Sequence, residues 1–272
     1  MRYGIDISQH QLTWDEILSR TRWAEDAGFD GAWAFDHFKP LYGDPAGPCL
    51  EGWTLLAALA ASTEKIRLGT LVTGVTYRHP SILATEAVTV DHVSRGRLEL
   101  AVGAAWFEGE HREFGIEFPG AAERVHRLEE AVQIMRSLMT EDGVDFNGRY
   151  YSLENASYNP KPVQQPMPPL WIGGSGEKLM LPLIARHADV WHAGGDLGTL
   201  VRKSALIDGH ATDAGRNPKG IARASYLSAS EPFDEVKERR DALAEAGFDY
   251  VVVSWPSEGR ARMDEFVAQV MQ

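Results

Sequence analysis

Ala27-Gly28-Phe29-Asp30-Gly31-Ala32-Trp33-Ala34-Phe35 closes one helix and opens a strand, and Ala246-Gly247-Phe248-Asp249-Tyr250-Val251-Val252-Val253 does the same near the other end of the chain. A looser third copy, Arg186-His187-Ala188-Asp189, leads into Val190-Trp191. One helix-to-strand joint is therefore reused along the sequence. Each copy feeds a run that is apolar at nearly every position. Strands of that kind are covered on both faces, as in a parallel sheet with helices outside.

Outward from these joints, strand and helix alternate. Strands are predicted at 3–7, 31–35, 66–73, 97–102, 170–172, 189–192, 221–227 and 250–254. Helices are predicted at 12–27, 53–62, 80–94, 122–139, 177–187, 197–214, 233–246 and 258–270. The first helix has Thr13 as N-cap with Glu16 three residues on, and Gly28 stops it. Pro80 suits a first helical turn. Eight strand–helix units in one chain of 272 residues match an α/β fold of the (β/α)8 TIM-barrel type, spanning 1–272 as one domain. An open, doubly wound sheet is the alternative. The stretch 140–168 breaks the rhythm and reads as an insertion: Asn147-Gly148 is a hairpin signal, and five prolines crowd 160–169.

Composition sets limits. The chain is 44% hydrophobic and 24% charged, enough to bury a large core. No apolar run nears the roughly 18 residues that span a bilayer. Met1-Arg2-Tyr3-Gly4-Ile5-Asp6 enters a strand directly and lacks signal-peptide shape, so a soluble, cytoplasmic protein is expected. The single cysteine, Cys49, excludes an internal disulfide and a multi-cysteine metal site. A net charge of −12 argues against nucleic acid as partner.

In a barrel of this type the chemistry sits at the C-terminal ends of the strands. That rule selects Asp36-His37-Phe38, Thr70-Leu71-Val72-Thr73-Gly74, Gly103-Ala104-Ala105-Trp106 with Glu108 and His111, Trp191-His192, and Ser254-Trp255. It also selects Leu170-Trp171-Ile172-Gly173-Gly174-Ser175-Gly176-Glu177-Lys178, where a buried strand breaks into glycines and opens a helix. Close backbone approach and a helix N-terminus make this a candidate phosphate cradle, although it has neither Walker nor dinucleotide spacing. A plain helix-opening turn is the other reading. His37 can give or take a proton near neutral pH, with Asp36 beside it as a second catalytic candidate. Trp106, His111, Trp191, His192 and Trp255 are candidate liners of a substrate pocket, against a packing role for each. His37, Glu108, His111 and His192 lack recognised metal-site spacing, so no metal is expected. No nucleophile elbow occurs.

Taken in order, Asp36-His37-Phe38, Leu68-Gly69-Thr70-Leu71-Val72-Thr73, Gly103-Ala104-Ala105-Trp106-Phe107-Glu108-Gly109-Glu110-His111, Lys161-Pro162-Val163-Gln164 and the glycine stretch resemble the bacterial luciferase-like monooxygenase superfamily, in particular its branch dependent on coenzyme F420. The resemblance covers about residues 2–195. It implies a barrel with a deazaflavin or flavin at the strand ends. The ring would lie on Thr70, Leu71, Val72, Gly103, Ala104 and Ala105. The phosphate would meet Gly174, Ser175 and Gly176, with Gly173 and Glu177 at the ends of that segment. It implies a bulge with a non-proline cis peptide at Leu71–Val72, and His37 beside the reactive ring. Relatives often carry Asn in place of His192 and Gly in place of Ala105.

The activity so implied is hydride transfer between F420 and a small organic substrate, since the cofactor carries chemistry that side chains cannot. An FMN-dependent monooxygenase fed by a partner reductase is the alternative, and a flavin-binding protein without turnover is the second. A homodimer is expected from the resemblance only.

Overall fold

The computed structural model describes residues 1–271. Its elements are β1 (Arg2–Asp6), α1 (Trp14–Asp26), β2 (Gly31–Ala34), α2 (Gly52–Ser62), β3 (Arg67–Thr70), β4 (Thr73–Gly74), α3 (Pro80–Ser94), β5 (Leu98–Gly103), α4 (Glu108–Phe114), α5 (Ala121–Thr140), β6 (Val144–Asn147), β7 (Ser152–Ala156), β8 (Leu170–Gly173), α6 (Met180–His187), β9 (Val190–His192), α7 (Leu197–Asp213), β10 (Ala222–Ser228), α8 (Phe233–Glu245), β11 (Tyr250–Ser254) and α9 (Arg260–Val270). The main sheet runs β3-β2-β1-β11-β10-β9-β8-β5-β4, and a β3–β5 pairing closes it. All these pairings are parallel. With β3 and β4 sharing one position, the result is a closed eight-stranded (β/α)8 barrel. Among the described residues, no helix is long and apolar enough to cross a membrane.

Local chemistry sets the element ends. Glu16 N–H donates to Thr13 Oγ1, and Thr13 N–H donates to Glu16 Oε2 at 3.0 Å, closing the capping box of α1. Gly28, at φ +86°, takes the left-handed turn after it. The stretch expected as one strand at 66–73 is instead two. It breaks at Leu71–Val72, whose peptide bond is cis, as the resemblance implied. The helix expected at 177–187 opens only at Met180, after a turn. Two elements were not foreseen as such. One is the short helix α4. The other is the antiparallel pair β6–β7, which answers the Asn147-Gly148 signal in the insertion.

Side chains alternate between two compartments. One face of each strand packs on the helices in the large outer core. The other face points into the barrel, where Trp33, Leu71, Ala101, Trp171, Val190, Ala224, Tyr250 and Val252 form a second cluster. Trp33 and Trp171 lie 4.5 Å apart and Trp171 and Tyr250 5.0 Å apart, ring centre to ring centre. Trp33 Nε1 donates to the Tyr250 hydroxyl at 3.1 Å, and Trp171 Nε1 to Glu99 Oε2 at 2.7 Å. Glu99 in turn pairs with Arg67. These rings plug the N-terminal end. A Cβ at Gly4 or Gly69 would sit 2.5 Å from Trp33, so glycine there makes room for the plug. The C-terminal end stays open.

Candidate active site

A cavity of about 980 Å³ occupies the C-terminal mouth. Its floor is the β3–β4 break. Val72 lies over the ends of the neighbouring strands β5 and β8: a Cβ at Gly103 would lie 2.7 Å from its Cγ2, and one at Gly173 3.0 Å from its Cγ1. Glycine at the ends of β5 and β8 therefore lets Leu71 and Val72 form a low, apolar platform.

The wall beside β2 is polar and saturated. His37 Nδ1 lies 2.9 Å from Glu110 Oε2. Glu110, on α4, is fully buried and also accepts from Phe38 N–H at 2.7 Å, from Lys39 N–H at 3.3 Å, and from the Tyr77 hydroxyl. Burial pushes its carboxyl up. The His37 and Tyr77 hydrogen bonds, the His37 charge and the Phe38 N–H outweigh that and hold it below the usual carboxylate range. Burial, reinforced by Glu110, pushes the Tyr77 phenol up. An ionised carboxylate only accepts hydrogen bonds. Nδ1 of His37 therefore carries the hydrogen toward Glu110, and in the neutral ring Nε2 is the basic nitrogen. Asp36 is bound on both oxygens: Arg78 donates to Oδ2 at 2.7 Å and to Oδ1 at 2.9 Å, and Gly74 N–H donates to Oδ2 at 3.0 Å. Burial raises its pKa against those bonds.

The opposite wall comes from β9, β10, β11 and β1. Register places Asp6, Ser254 and Ser228 side by side on successive strands. All three line the cavity with His192 and Tyr226. Arg239, on α8, lines it as well and donates to Gly195 O at 2.8 Å. At the rim stand Tyr42 and Trp106, 72% and 65% exposed.

A profile of luciferase-like monooxygenases matches residues 1–230. The chain belongs to that family. It is 35% identical over 220 residues to an F420-dependent glucose-6-phosphate dehydrogenase of Microbacterium testaceum (strain StLB037), covering 80% of this chain and 58% of the relative. It is 28% identical over 249 residues to an FMNH(2)-dependent dimethylsulfone monooxygenase of Pseudomonas putida, covering 88% of this chain and 68% of that one. In structure it resembles an F420-dependent secondary alcohol dehydrogenase in complex with an F420–acetone adduct, with a TM-score of 0.87 at 22% identity over 99% of this chain and 98% of the other. That likeness establishes the barrel.

The residues singled out from sequence divide over the barrel by strand phase. His37, Leu71, Val72, Gly103, Ala104, Ala105, Trp106, Gly173, Gly174, Ser175 and His192 all line the cavity, as does Asp36. Five other expectations need correction. Trp191 lies between inward-facing Val190 and His192, so it points out into the helix layer, fully buried, and donates to Gly174 O at 2.8 Å. Trp255 follows inward-facing Ser254. It packs edge-on against Trp23 at 5.4 Å, with Arg20 over its ring. His111, on α4, is buried and bonded to Thr76 Oγ1 at 2.6 Å and to Phe107 O at 2.8 Å. Thr70 points outward to Thr73 Oγ1 at 2.6 Å. Glu177 pairs with Arg202 at 2.8 Å on the outer surface.

The cradle is also narrower than expected. Gly174 N–H donates to His192 O at 3.2 Å, so it is already used. Gly174 is glycine because its φ is +147° and a Cβ would meet Met180 Cγ at 2.8 Å. Gly176 and Glu177 lie beyond the lining, and α6 opens only at Met180, whose side chain meets the lining. Ser175 remains. Asp36 lines the cavity with both oxygens engaged by Arg78 and one also by Gly74 N–H.

Sequence reading missed Glu110, Tyr77, Asp6, Tyr226 and Arg239. Glu110 stood inside the quoted 103–111 motif, but only the unforeseen α4 turns it inward. Asp6 ends β1, where the strand-end rule applies equally. The Cys49 thiol is pushed up to about 11 by burial and the Glu110 charge, which leaves it protonated and inert at neutral pH. Among the described residues, no three His, Cys, Asp or Glu side chains gather to hold a metal ion.

Proposed function

We propose that this chain is an F420-dependent oxidoreductase that moves a hydride between the deazaflavin and a small organic substrate, with His37 handling the accompanying proton. One observation carries the reading. A histidine oriented by a buried carboxylate stands beside a flat apolar platform made of Leu71, Val72, Gly103 and Gly173. The platform suits a planar ring, because a side chain at either glycine would collide with Val72. Ser175 and Arg239, the one arginine or lysine lining the cavity among the described residues, suit the anionic part of such a cofactor. The F420-dependent relative supports the choice of deazaflavin.

When bound, F420 supplies the two-electron hydride chemistry. The chain's own residues do the rest. Glu110 stays ionised and holds the Nδ1 hydrogen of His37. His37 Nε2, as free base, takes the hydroxyl proton of an alcohol substrate as its carbon loses hydride. In the reverse direction, protonated His37 returns a proton to the carbonyl oxygen.

The FMN-dependent relative, matched over 88% of this chain, favours a second reading, a monooxygenase using reduced flavin from a partner reductase. Tryptophan fluorescence quenching by oxidised F420, run beside FMN, separates the two. Micromolar F420 binding with much weaker FMN binding is expected. The reverse order would overturn the F420 reading, and binding of neither would overturn both.

A further inference from the structure

Polar groups on the β9–β10–β1 wall are unspent. His192 is 5% exposed, lines the cavity, and its Nε2 has no hydrogen-bond partner. A buried polar atom without a partner is costly, and where it borders a cavity the missing partner is a water or a ligand. Burial pushes His192 down to about 3, so the ring stays neutral and can accept or donate one bond. Tyr226 stands edge-on to it at 4.5 Å between ring centres. Next along the wall comes Asp6. Its hydrogen bonds come from Ser8, N–H at 2.9 Å and hydroxyl at 3.1 Å, and both fall on Oδ1, leaving Oδ2 for the cavity. The Ser254 and Ser228 positions continue the row in register.

We infer that this wall is a substrate subsite for a neutral, hydroxyl-bearing group, read by His192, Tyr226 and Asp6, and that it discriminates against anionic groups. The inference rests on the oxidoreductase reading for the word substrate. The geometry itself does not depend on which cofactor is used. A carboxylate acceptor, a phenol that donates or accepts, and a neutral imidazole together match an alcohol or vicinal diol, whose hydroxyls both donate and accept. A ligand carboxylate or phosphate here would face Asp6 and Glu231, both in the cavity lining. Arg239 donates to Gly195 O on the β9 loop and is assigned above to the anionic part of the cofactor. Discrimination by buried hydrogen-bonding groups is steep, because the wrong ligand leaves them unpaired.

The test uses propane-1,2-diol and lactate, which share a carbon skeleton and differ in one end being CH2OH or carboxylate. Histidine side-chain nitrogen resonances are followed in the full chain, with and without saturating F420 or FMN. His192→Asn assigns the His192 signal. The diol is expected to shift His192 Nε2 saturably, and lactate to bind at least tenfold more weakly. Tyr226→Phe, which keeps the ring against His192, and Asp6→Asn are each expected to weaken the diol at least fivefold while F420 quenching stays within twofold of the parent. The inference is overturned if the diol leaves His192 unmoved, if lactate binds as well, or if both variants keep diol affinity within twofold. It is also overturned if they weaken F420 by the same factor, since the wall would then belong to the cofactor. A diol response with no binding of F420 or FMN would sink the oxidoreductase reading and leave the subsite standing.

Discussion

On the β2–β5 side of the cavity, Glu110 alone accepts four hydrogen bonds, from His37, Phe38, Lys39 and Tyr77. Across the mouth, the equally buried His192 offers a ring nitrogen that meets no partner. Both walls stand at the same rim, one completed by Glu110 of α4 and the other built from strand ends. They differ in what each polar atom is for. Where every donor has an acceptor within the protein, the group is held in one orientation, as a proton-transfer residue requires. Where partners are missing, the wall stores an unmet demand that only a ligand can satisfy.

The saturated wall should fail first when its hub is removed. Glu110→Ala leaves a buried imidazole, a phenol and two N–H groups unpaired, and is expected to cost about 3–5 kcal/mol in thermal or denaturant unfolding. A loss below about 1 kcal/mol would mean that water replaces the carboxylate, and the contrast between the walls would collapse. Next comes His37→Ala. Turnover should drop by about 100-fold while cofactor affinity holds within a few-fold. Equal losses in both would make His37 a binding residue.

The open wall should reveal itself through pH. His192 stays neutral until about pH 3 in the folded state, against about 6.5 unfolded. Below about pH 6.5 the unfolded chain takes up a proton that folded His192 refuses, so stability falls with pH, by up to about 1.4 kcal/mol per unit. His192→Asn should flatten that decline, by about 1–2 kcal/mol between pH 6.5 and 5 in urea titrations. Asp6 works with the opposite sign. Its folded value, raised by burial to about 6, exceeds the roughly 3.9 of the unfolded chain. Its contribution is therefore present at low pH and is lost as pH rises through 6. Asp6→Asn should gain on the order of 1 kcal/mol over the parent at pH 8 and little at pH 4. No gain at pH 8 would show that the charge is solvated and the wall wetter than its burial suggests.

The smallest effect separates floor from walls. Ala105 sits at φ +57°, where a side chain is unfavourable. Ala105→Gly should stabilise by about 0.5–1 kcal/mol, with the unfolded chain's extra freedom offsetting part of the relief. A loss of stability there would show that the Ala105 methyl packs usefully at the mouth.

Much of the barrel was written in local pattern. The joints at 27–31 and 246–250, the capping box at Thr13 and the glycine stops mark where helices end and strands begin. Those choices depend on backbone conformation and near neighbours, so the sequence reading placed the eight strand positions and the rim. The site was legible only as far as strand ends were. His37, Val72, Gly103 and His192 followed from that rule, but Trp191 and Trp255 were placed in the pocket because phase along a strand shifts by one residue and reverses the face. Val190 and His192 point in, so Trp191 must point out. Glu110 needed α4, seven residues long and too short to announce itself by periodicity.

What the chain determined by itself was its alternation of strands and helices, its turns, and the residue types at the rim, because these rest on interactions a few positions apart. Only the closed barrel decided which of those residues face one another. It set Glu110 against His37 across 73 positions and put Asp6 on one wall with Tyr226 and His192. Burial, and with it the neutral His192 and the ionised Glu110, arises from strand phase and closure, which no short stretch of sequence contains.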